Sequence, residues 1–359
     1  MGSKLSTRSV GEAPPDSITI NRGAELIVVD ALLEEGLNDG ELPHLCLDRT
    51  LLMSSGHPPL GPKELGDVLA CLVGPSGRWR DIKLNKLSVM FNGAEGQGVG
   101  DFIAKHDSVR EVTLLCEHIS RNSMQQLAKA LCSNITVTKL RLGREKLDGG
   151  ATRALGEVLK NNQSLEQLTL FSCAFDDMGA EHIADGLCAN KTLQYLDLAY
   201  CGIGEDGAVA IAVKMQSHPA LSHLNLRHNA IGSRGSGALA AALKSGKSAL
   251  QELMLGSNCI GDTGAADLAG ALTSNTMVTN LDLGANDIGD SGGSAFAEHL
   301  GENVILRQLN LRKTNIGRDV CDSIRTGWTK RNSKEGAQRG KPWHDGLSLP
   351  FESLQCRSA

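Results

Sequence analysis

The stretch "LDLGANDIGDSGGSAFAEHL" at residues 281–300 places glycines and aspartates at spacings that chemistry uses. Glycines between a strand and a helix can let backbone N–H groups close on a phosphate, and aspartates can hold a cation. Three earlier stretches repeat the pattern: "LMLGSNCIGDTGAADLAGAL" at 253–272, "LNLRHNAIGSRGSGALAAAL" at 224–243 and "LDLAYCGIGEDGAVAIAVKM" at 196–215. A phosphate loop occurs once in a domain, so the recurrence reads as a structural corner. "GAEGQGVGD" (93–101) also lies between a predicted strand and a predicted helix. Its spacing fits neither G-x-x-x-x-G-K-[ST] nor G-x-G-x-x-G, and it reads as a shortened form of the same corner.

Asp197 and His223 occupy equivalent places in neighbouring repeats with His228 nearby, so an acid–base pair or a partial metal site can be drawn there. No nucleophile stands beside them, and no catalytic residue is assigned. The ten cysteines contain no CxxC pair, and the His–Cys spacings do not match a zinc site. Neither a metal nor a cofactor is expected, and the chain reads as a non-enzyme.

Elements of fixed period must position these residues. Aligned on L-x-x-L-x-L, the units begin at Leu42, Leu84, Val109, Val137, Leu165, Leu193, Leu221, Leu250, Val278 and Leu306, with differences of 42, 25, 28, 28, 28, 28, 29, 28 and 28. Each opens with alternating apolar and polar residues, a strand pattern, and continues with apolar spacings of three and four, a helix pattern. In the unit at Leu193, Leu196 and Leu198 are predicted to point inward from the strand, and Ala208, Ile211, Ala212 and Met215 from the helix. Position nine holds Asn92, Asn229, Asn258 and Asn286, or Cys173 and Cys201, all able to donate to carbonyls left unpaired where the strand bends. Thr50, Glu117, Glu145 and Thr314 break this rule and predict weaker corners at the ends. Gly204, Gly232, Gly261, Gly289 and Gly317, with Gly179, Gly207, Gly235, Gly264 and Gly292, are read as tight strand-to-helix turns. Asp206, Asp262 and Asp290 are read as helix N-caps. Asn134, Asn162 and Asn190 begin N-x-[ST] triplets and are read as ending helices in a left-handed conformation. Cys132 and Cys188 are read as helix packing residues, and Cys356 as an exposed thiol.

Over residues 42–327 this pattern resembles the leucine-rich repeats of the ribonuclease inhibitor type, found also in NOD-like receptors and the Ran GTPase-activating protein. The resemblance implies an α/β solenoid of about ten repeats, with parallel strands on the concave face of a horseshoe and helices on the convex face. Stacked strand–helix units bury a continuous core only side by side, which supports the same architecture independently. Four segments follow: a flexible N-terminal segment at 1–23, a helical cap at 24–41, the array at 42–317, and a cap helix with a flexible tail at 318–359.

A formal charge of -5 over 359 residues steers the chain toward neither nucleic acid nor an acidic membrane. There is no apolar run long enough to span a bilayer and no apolar N-terminal core, so a cytoplasmic, monomeric protein with reduced thiols is expected. "MGSKLS" satisfies M-G-x-x-x-[ST], making Gly2 a lipidation candidate for weak, peripheral membrane attachment. From 318 to 359, eight Lys or Arg minus five Asp or Glu gives +3, and "GKPWHDGLSLPFESL" suits docking back on the array or a short partner motif.

Both tyrosines, Tyr195 and Tyr200, fall at outward strand positions of one repeat, with Phe171 outward in the repeat before, in a chain only 3% aromatic. Lys139, Arg141, Arg144, His223 and Arg227 join them as partner-binding candidates, since Tyr and Arg most often anchor interfaces. The expectation is a scaffold or regulator that binds a protein through the strand face. The alternative implied by the resemblance is a GTPase activator acting on a small GTPase, although the tail here is basic where that branch carries an acidic one.

Overall fold

The computed structural model describes residues 96–115, 121–143, 146–339 and 347–350, together with strands near the N-terminus and at 41–48 and 83–90. The chain divides into two compact units, one of residues 1–146 with 161–165, the other of 147–160 with 166–359.

In the first unit β1 (Ser6–Arg8) and β2 (Ile18–Arg22) flank β3 (Glu25–Val29) in an antiparallel sheet. A helix was expected to begin at 24, so this corrects the sequence reading. Ile27, Val28 and Val29 are β-branched, and branching at Cβ favours the extended chain over the helix. Four parallel strands follow: β4 (Glu41–Asp48), β5 (Lys83–Met90), β6 (Glu111–Leu115) and β7 (Lys139–Gly143). Helices α1 (Gly96–Lys105) and α2 (Arg121–Ser133) alternate with the last three and pack on each other.

The second unit begins with α3 (Gly149–Asn161) and then repeats strand and helix. The order is β8 (Gln167–Phe171), α4 (Asp176–Ala189), β9 (Tyr195–Asp197), α5 (Glu205–Met215), β10 (His223–Asn225) and α6 (Gly232–Lys244). It continues with β11 (Glu252–Met254), α7 (Asp262–Leu272), β12 (Asn280–Asp282), α8 (Asp290–His299), β13 (Gln308–Asn310) and α9 (Arg318–Arg339). Adjacent strands from β8 to β13 are parallel, each leucine opposite its equivalent in the next repeat, as Leu196↔Leu224 and Leu224↔Leu253. The inward residues expected for the repeat at Leu193 are all buried.

The C-terminal region is more ordered than expected. The helix beginning at 318 runs to Arg339, and β14 (Leu347–Ser348) adds to the edge of β13 with Leu311 N–H donating to Ser348 O at 2.7 Å. Part of the tail therefore docks back on its own sheet. Trp343 and Phe351 lie outside the described residues, as do Gly2, Cys356, Thr50, Asn92, Glu117 and Glu145.

Two asparagine ladders hold the second unit together. At position nine Asn258 donates to Leu226 O (2.8 Å) and Leu255 O (3.0 Å), and Asn286 donates to Leu255 O (2.9 Å) and Leu283 O (2.8 Å). The same amide oxygens accept from the preceding corner: Asn286 from Asn258 N and Ile260 N, Asn229 from Cys201 N and Ile203 N. Cys201 fills the place with a thiol donating to Leu170 O at 2.9 Å, and burial pushes that thiol's pKa far up. Thr314 also donates inward, to Leu311 O at 2.8 Å, so it serves the terminal corner that the sequence reading expected to be weakened.

The second ladder runs along the helix ends. Asn190 donates to Leu159 O (2.6 Å), Asn303 to Leu272 O (2.6 Å) and Asn275 to Leu243 O (3.0 Å), and their oxygens accept from Leu193, Leu306 and Val278 N–H at the next strand. In the first unit Asn162 and Asn134 do the same with Leu131 O and Ile103 O. Asn190 is extended at φ -70°, ψ 147°, and neither Asn134 nor Asn162 has positive φ, which corrects the left-handed reading. The side chain, rather than an unusual backbone, ends the helix.

Three further readings are corrected by neighbours one repeat away. Gly204, Gly261 and Gly289 have φ of -94°, -92° and -98°, open to any residue; of the five glycines in that series, Gly232 takes a left-handed φ of +61°. The glycines three places on are needed for close helix stacking: a Cβ on Gly235 would lie 2.7 Å from Ala208 Cβ, and one on Gly207 2.9 Å from Ala180 Cβ. Asp262 does not cap its own helix; its carboxylate accepts from Gly289 N (2.7 Å) and Gly292 N (3.0 Å) at the start of the next one. Asp290 likewise serves Gly317 N (2.6 Å), Asp177 serves Gly204 N (2.6 Å), and Asp206 pairs with Arg234 instead. Cys188 is exposed, because the buried face of α4 ends at Leu187.

His218 breaks the second ladder. Its Nδ1 accepts from Leu221 N at 3.0 Å as an asparagine oxygen would, but its buried Nε2 has no partner. Burial, with Lys191 nearby, lowers its pKa from 6.5 to about 4. The folded state thus holds a neutral ring where the unfolded chain takes a proton, so this stability is complete above pH 6.5 and is lost as pH falls toward 4. Urea unfolding at pH 7 and pH 5 should show His218→Asn more stable than the parent by about 1 kcal/mol at pH 7, through a new bond to Leu187 O, and with a larger advantage at pH 5.

Candidate functional site

The outward face of the second unit is set at position eight of each repeat. Ser172, Tyr200, His228, Ser257, Ala285 and Lys313 hold φ of 55°, 58°, 57°, 59°, 55° and 58°, the left-handed region that L-residues rarely enter. The corner imposes it. Tyr200 N–H donates to Arg227 O (3.1 Å), His228 N–H to Gly256 O (2.9 Å) and Ser257 N–H to Gly284 O (2.9 Å), so each position-eight amide is tied to position seven of the next repeat. The side chains at position eight are thereby turned outward in register.

Two of those side chains are rings. Tyr200 and His228 stack face to face, centroids 4.1 Å apart and planes 8° from parallel, while Phe171 meets Tyr200 edge-on at 5.5 Å and 77°. The three span three successive repeats, with Phe171 37% and Tyr200 45% exposed. Such edge-to-face and stacked pairs are favourable arrangements for aromatic quadrupoles. A second group lies on the strands, where the Tyr195 ring stands 5.9 Å from that of His223. His223 is held at Nδ1 by Ser222 Oγ (2.7 Å), and its Nε2 is 3.5 Å from Glu252 Oε1.

Four sequence candidates, Phe171, Tyr195, Tyr200 and His223, therefore share this face, and His228 completes the stack. Periodicity alone could have found His228, since it falls 28 residues after Tyr200. Arg227 is otherwise committed. Its Nε and Nη2 both bind Oδ2 of Asp282, which is 5% exposed and also receives Asn310 Nδ2 (2.5 Å) and Gly284 N (3.1 Å). The arm crosses the intervening repeat at Gly256, where an added Cβ would lie 2.9 Å from Asp282 Oδ2. Beside this pair is a cavity of about 320 Å³ lined by Met254, Asn280, Gln308 and Arg312 among others.

The remaining candidates belong to the first unit or lie outside the described residues. On β7, Lys139 pairs with Glu111 at 2.8 Å and Arg141 is exposed. Arg144 is outside the described residues. The acid–base arrangement drawn from sequence does not assemble: Asp197 lies opposite Asn225, while His223 lies opposite Tyr195 and toward Glu252. Among the described residues no three His, Cys, Asp or Glu side chains converge as metal ligands, and no helix is long and apolar enough to cross a membrane.

Breaking the Arg227–Asp282 pair from one side strands a carboxylate that is 6% exposed at the side chain. A double-mutant cycle with Arg227→Met and Asp282→Asn should give a coupling of about 1–2 kcal/mol by urea unfolding, discounted for the partly exposed guanidinium. Additive effects would show that the two side chains do not support each other.

The leucine-rich repeat family model matches residues 189–212, 218–240, 248–269 and 274–297. No curated protein sequence matches the chain. Similar solved structures include Rad7 in complex with Elc1 from yeast, at 12% identity over 78% of this chain and 70% of that one, TM-score 0.46. The tropomodulin C-terminal domain of Caenorhabditis elegans shows 12% identity over 42% of this chain and 92% of that one, TM-score 0.37. Leiomodin-1 actin-binding site 2 shows 19% identity over 38% of this chain and 79% of that one, TM-score 0.32. The matched segments are leucine-rich repeats, and the strand–corner–helix unit they share recurs in the units on either side of them.

Proposed function

We propose that the protein is a non-enzymatic scaffold or regulator that binds a protein partner through the strand-side face of the 166–359 unit. The observation that carries this reading is the Phe171–Tyr200–His228 stack, which concentrates exposed rings in a chain with 3% aromatic residues. These rings are already fixed by a corner backbone and by one another, so little side-chain order remains to be lost on binding. Tyr195 and His223 extend the anchor along β9 and β10. Lys139, Arg141 and Arg144 are proposed partner contacts of the first unit taken by itself, and Arg227 would act by rigidifying the face of the second unit rather than by touching the partner. The full helix in each of these 28-residue units supports the ribonuclease inhibitor type of repeat. Acylation at Gly2 and a cytoplasmic location belong to the same reading, the first resting on the "MGSKLS" motif.

Affinity purification from the native cell, with mass spectrometry of the recovered proteins and of the N-terminal peptide, tests it. Tyr195→Ala with Tyr200→Ala should reduce recovery of the specific partner at least about tenfold, the loss of about 1.4 kcal/mol or more expected of anchor residues, with the circular dichroism spectrum unchanged. Undiminished recovery by the folded double variant would remove this face from the account.

A further inference from the structure

In the repeats at 193, 221, 278 and 306, position five carries a short polar side chain whose first oxygen serves its own backbone, whereas Met254 holds that place in the repeat at 250. Asp197 Oδ1 accepts from Ala199 N (3.0 Å), Asn225 from Arg227 N (3.1 Å), Asp282 from Gly284 N (3.1 Å) and Asn310 from Arg312 N (3.0 Å). The aspartates have a second oxygen to satisfy. At Asp282 it takes the guanidinium of Arg227, and the adjacent repeat contributes Asn310 Nδ2 to the first oxygen. At Asp197 the second oxygen has, among the described residues, one long hydrogen bond, accepted from the Tyr195 hydroxyl at 3.4 Å, and the residue is half-buried rather than enclosed.

We infer that Asp197 is the receiving site for an arginine side chain of the protein partner, held as Arg227 is held by Asp282. The chain itself thus displays the complementary ligand at an equivalent position. Around Asp197 the chemistry favours a guanidinium over an anion. Glu166 and Glu252 are the other charged residues on the same face of the repeats at 165, 193 and 250, His223 is turned to Glu252, and the charge of Arg227 is taken by Asp282. Tyr195 and Tyr200 flank Asp197 at the third and eighth positions of its repeat, offering ring faces and edges to the planar group and its stem. A carboxylate accepting a forked guanidinium also gives a shorter, stronger bond than a neutral acceptor.

This inference rests on the partner-binding reading above and specifies its chemistry. N-acetyl-arginine amide titrated into the full chain and followed by NMR should give saturable shifts concentrated at the amides of Tyr195–Tyr200. N-acetyl-citrulline amide, equal in shape but uncharged, should bind at least fivefold more weakly, and Asp197→Asn should remove the arginine response while leaving the rest of the spectrum in place. Absence of a saturable arginine response at that segment, or equal responses to citrulline or in Asp197→Asn, would overturn the inference. Partner recovery that is lost in the tyrosine variants but kept in Asp197→Asn would likewise remove the arginine site while leaving the protein-binding face standing.

Discussion

Each time this chain turns from strand to helix it leaves backbone N–H and C=O groups facing a dry leucine core, where an unpaired polar group costs on the order of 1–3 kcal/mol. A buried side-chain amide at the corner removes the difficulty. Asn229, Asn258 and Asn286 each accept from the repeat before and donate to carbonyls of both repeats, so the same group closes its own bend and binds its neighbour. A second amide at the helix end does the same on the other side of the core. Aspartates bridging to the next helix start add a third tie. No repeat completes its hydrogen bonding alone, which is why stacking is the condition of folding.

The proposed binding face is a consequence of that constraint. Because the corner fixes position nine, position eight is forced into a left-handed backbone and its side chain is held outward in register with those of neighbouring repeats. Such strain costs about 1–3 kcal/mol at a non-glycine residue and persists only where the surroundings over-determine it. Ser, Ala and Lys occupy the place elsewhere, whereas two neighbouring repeats carry Tyr200 and His228 and present them as a stacked pair. The acidic carboxylate at Asp197 and the self-satisfied pair at Arg227–Asp282 lie on the same lattice of positions, so their different exposure is a difference in available partners rather than in backbone.

The period, the buried leucines and the role of Asn or Cys at position nine were legible in the sequence, because each follows from aligning the repeats position by position, without knowing which side chains of neighbouring repeats meet. What was not legible depends on residues about 28 places away. Asp262 looks like a cap for α7, and only the stacked neighbour reveals that it caps α8. Gly207 and Gly235 look like turn glycines until the helix before them is in place, and the left-handed residue turns out to be the tyrosine or histidine ahead of the corner. The Arg227–Asp282 pair skips a whole repeat and carries no local signal beyond a glycine at 256. At the N-terminus the apolar "ELIVV" reads in sequence as part of a helix, whereas its run of β-branched residues lies in a strand.

The central claim is that the corner amides are buried, shared between repeats and broken only when the stack opens. Exchange of their side-chain NH2 protons with solvent, measured by NMR for Asn229, Asn258 and Asn286 against the exposed Asn315, reads this directly. The account predicts exchange at least ~100-fold slower at the three corners, as for groups released only by cooperative opening. Corner amides exchanging as fast as Asn315 would contradict it.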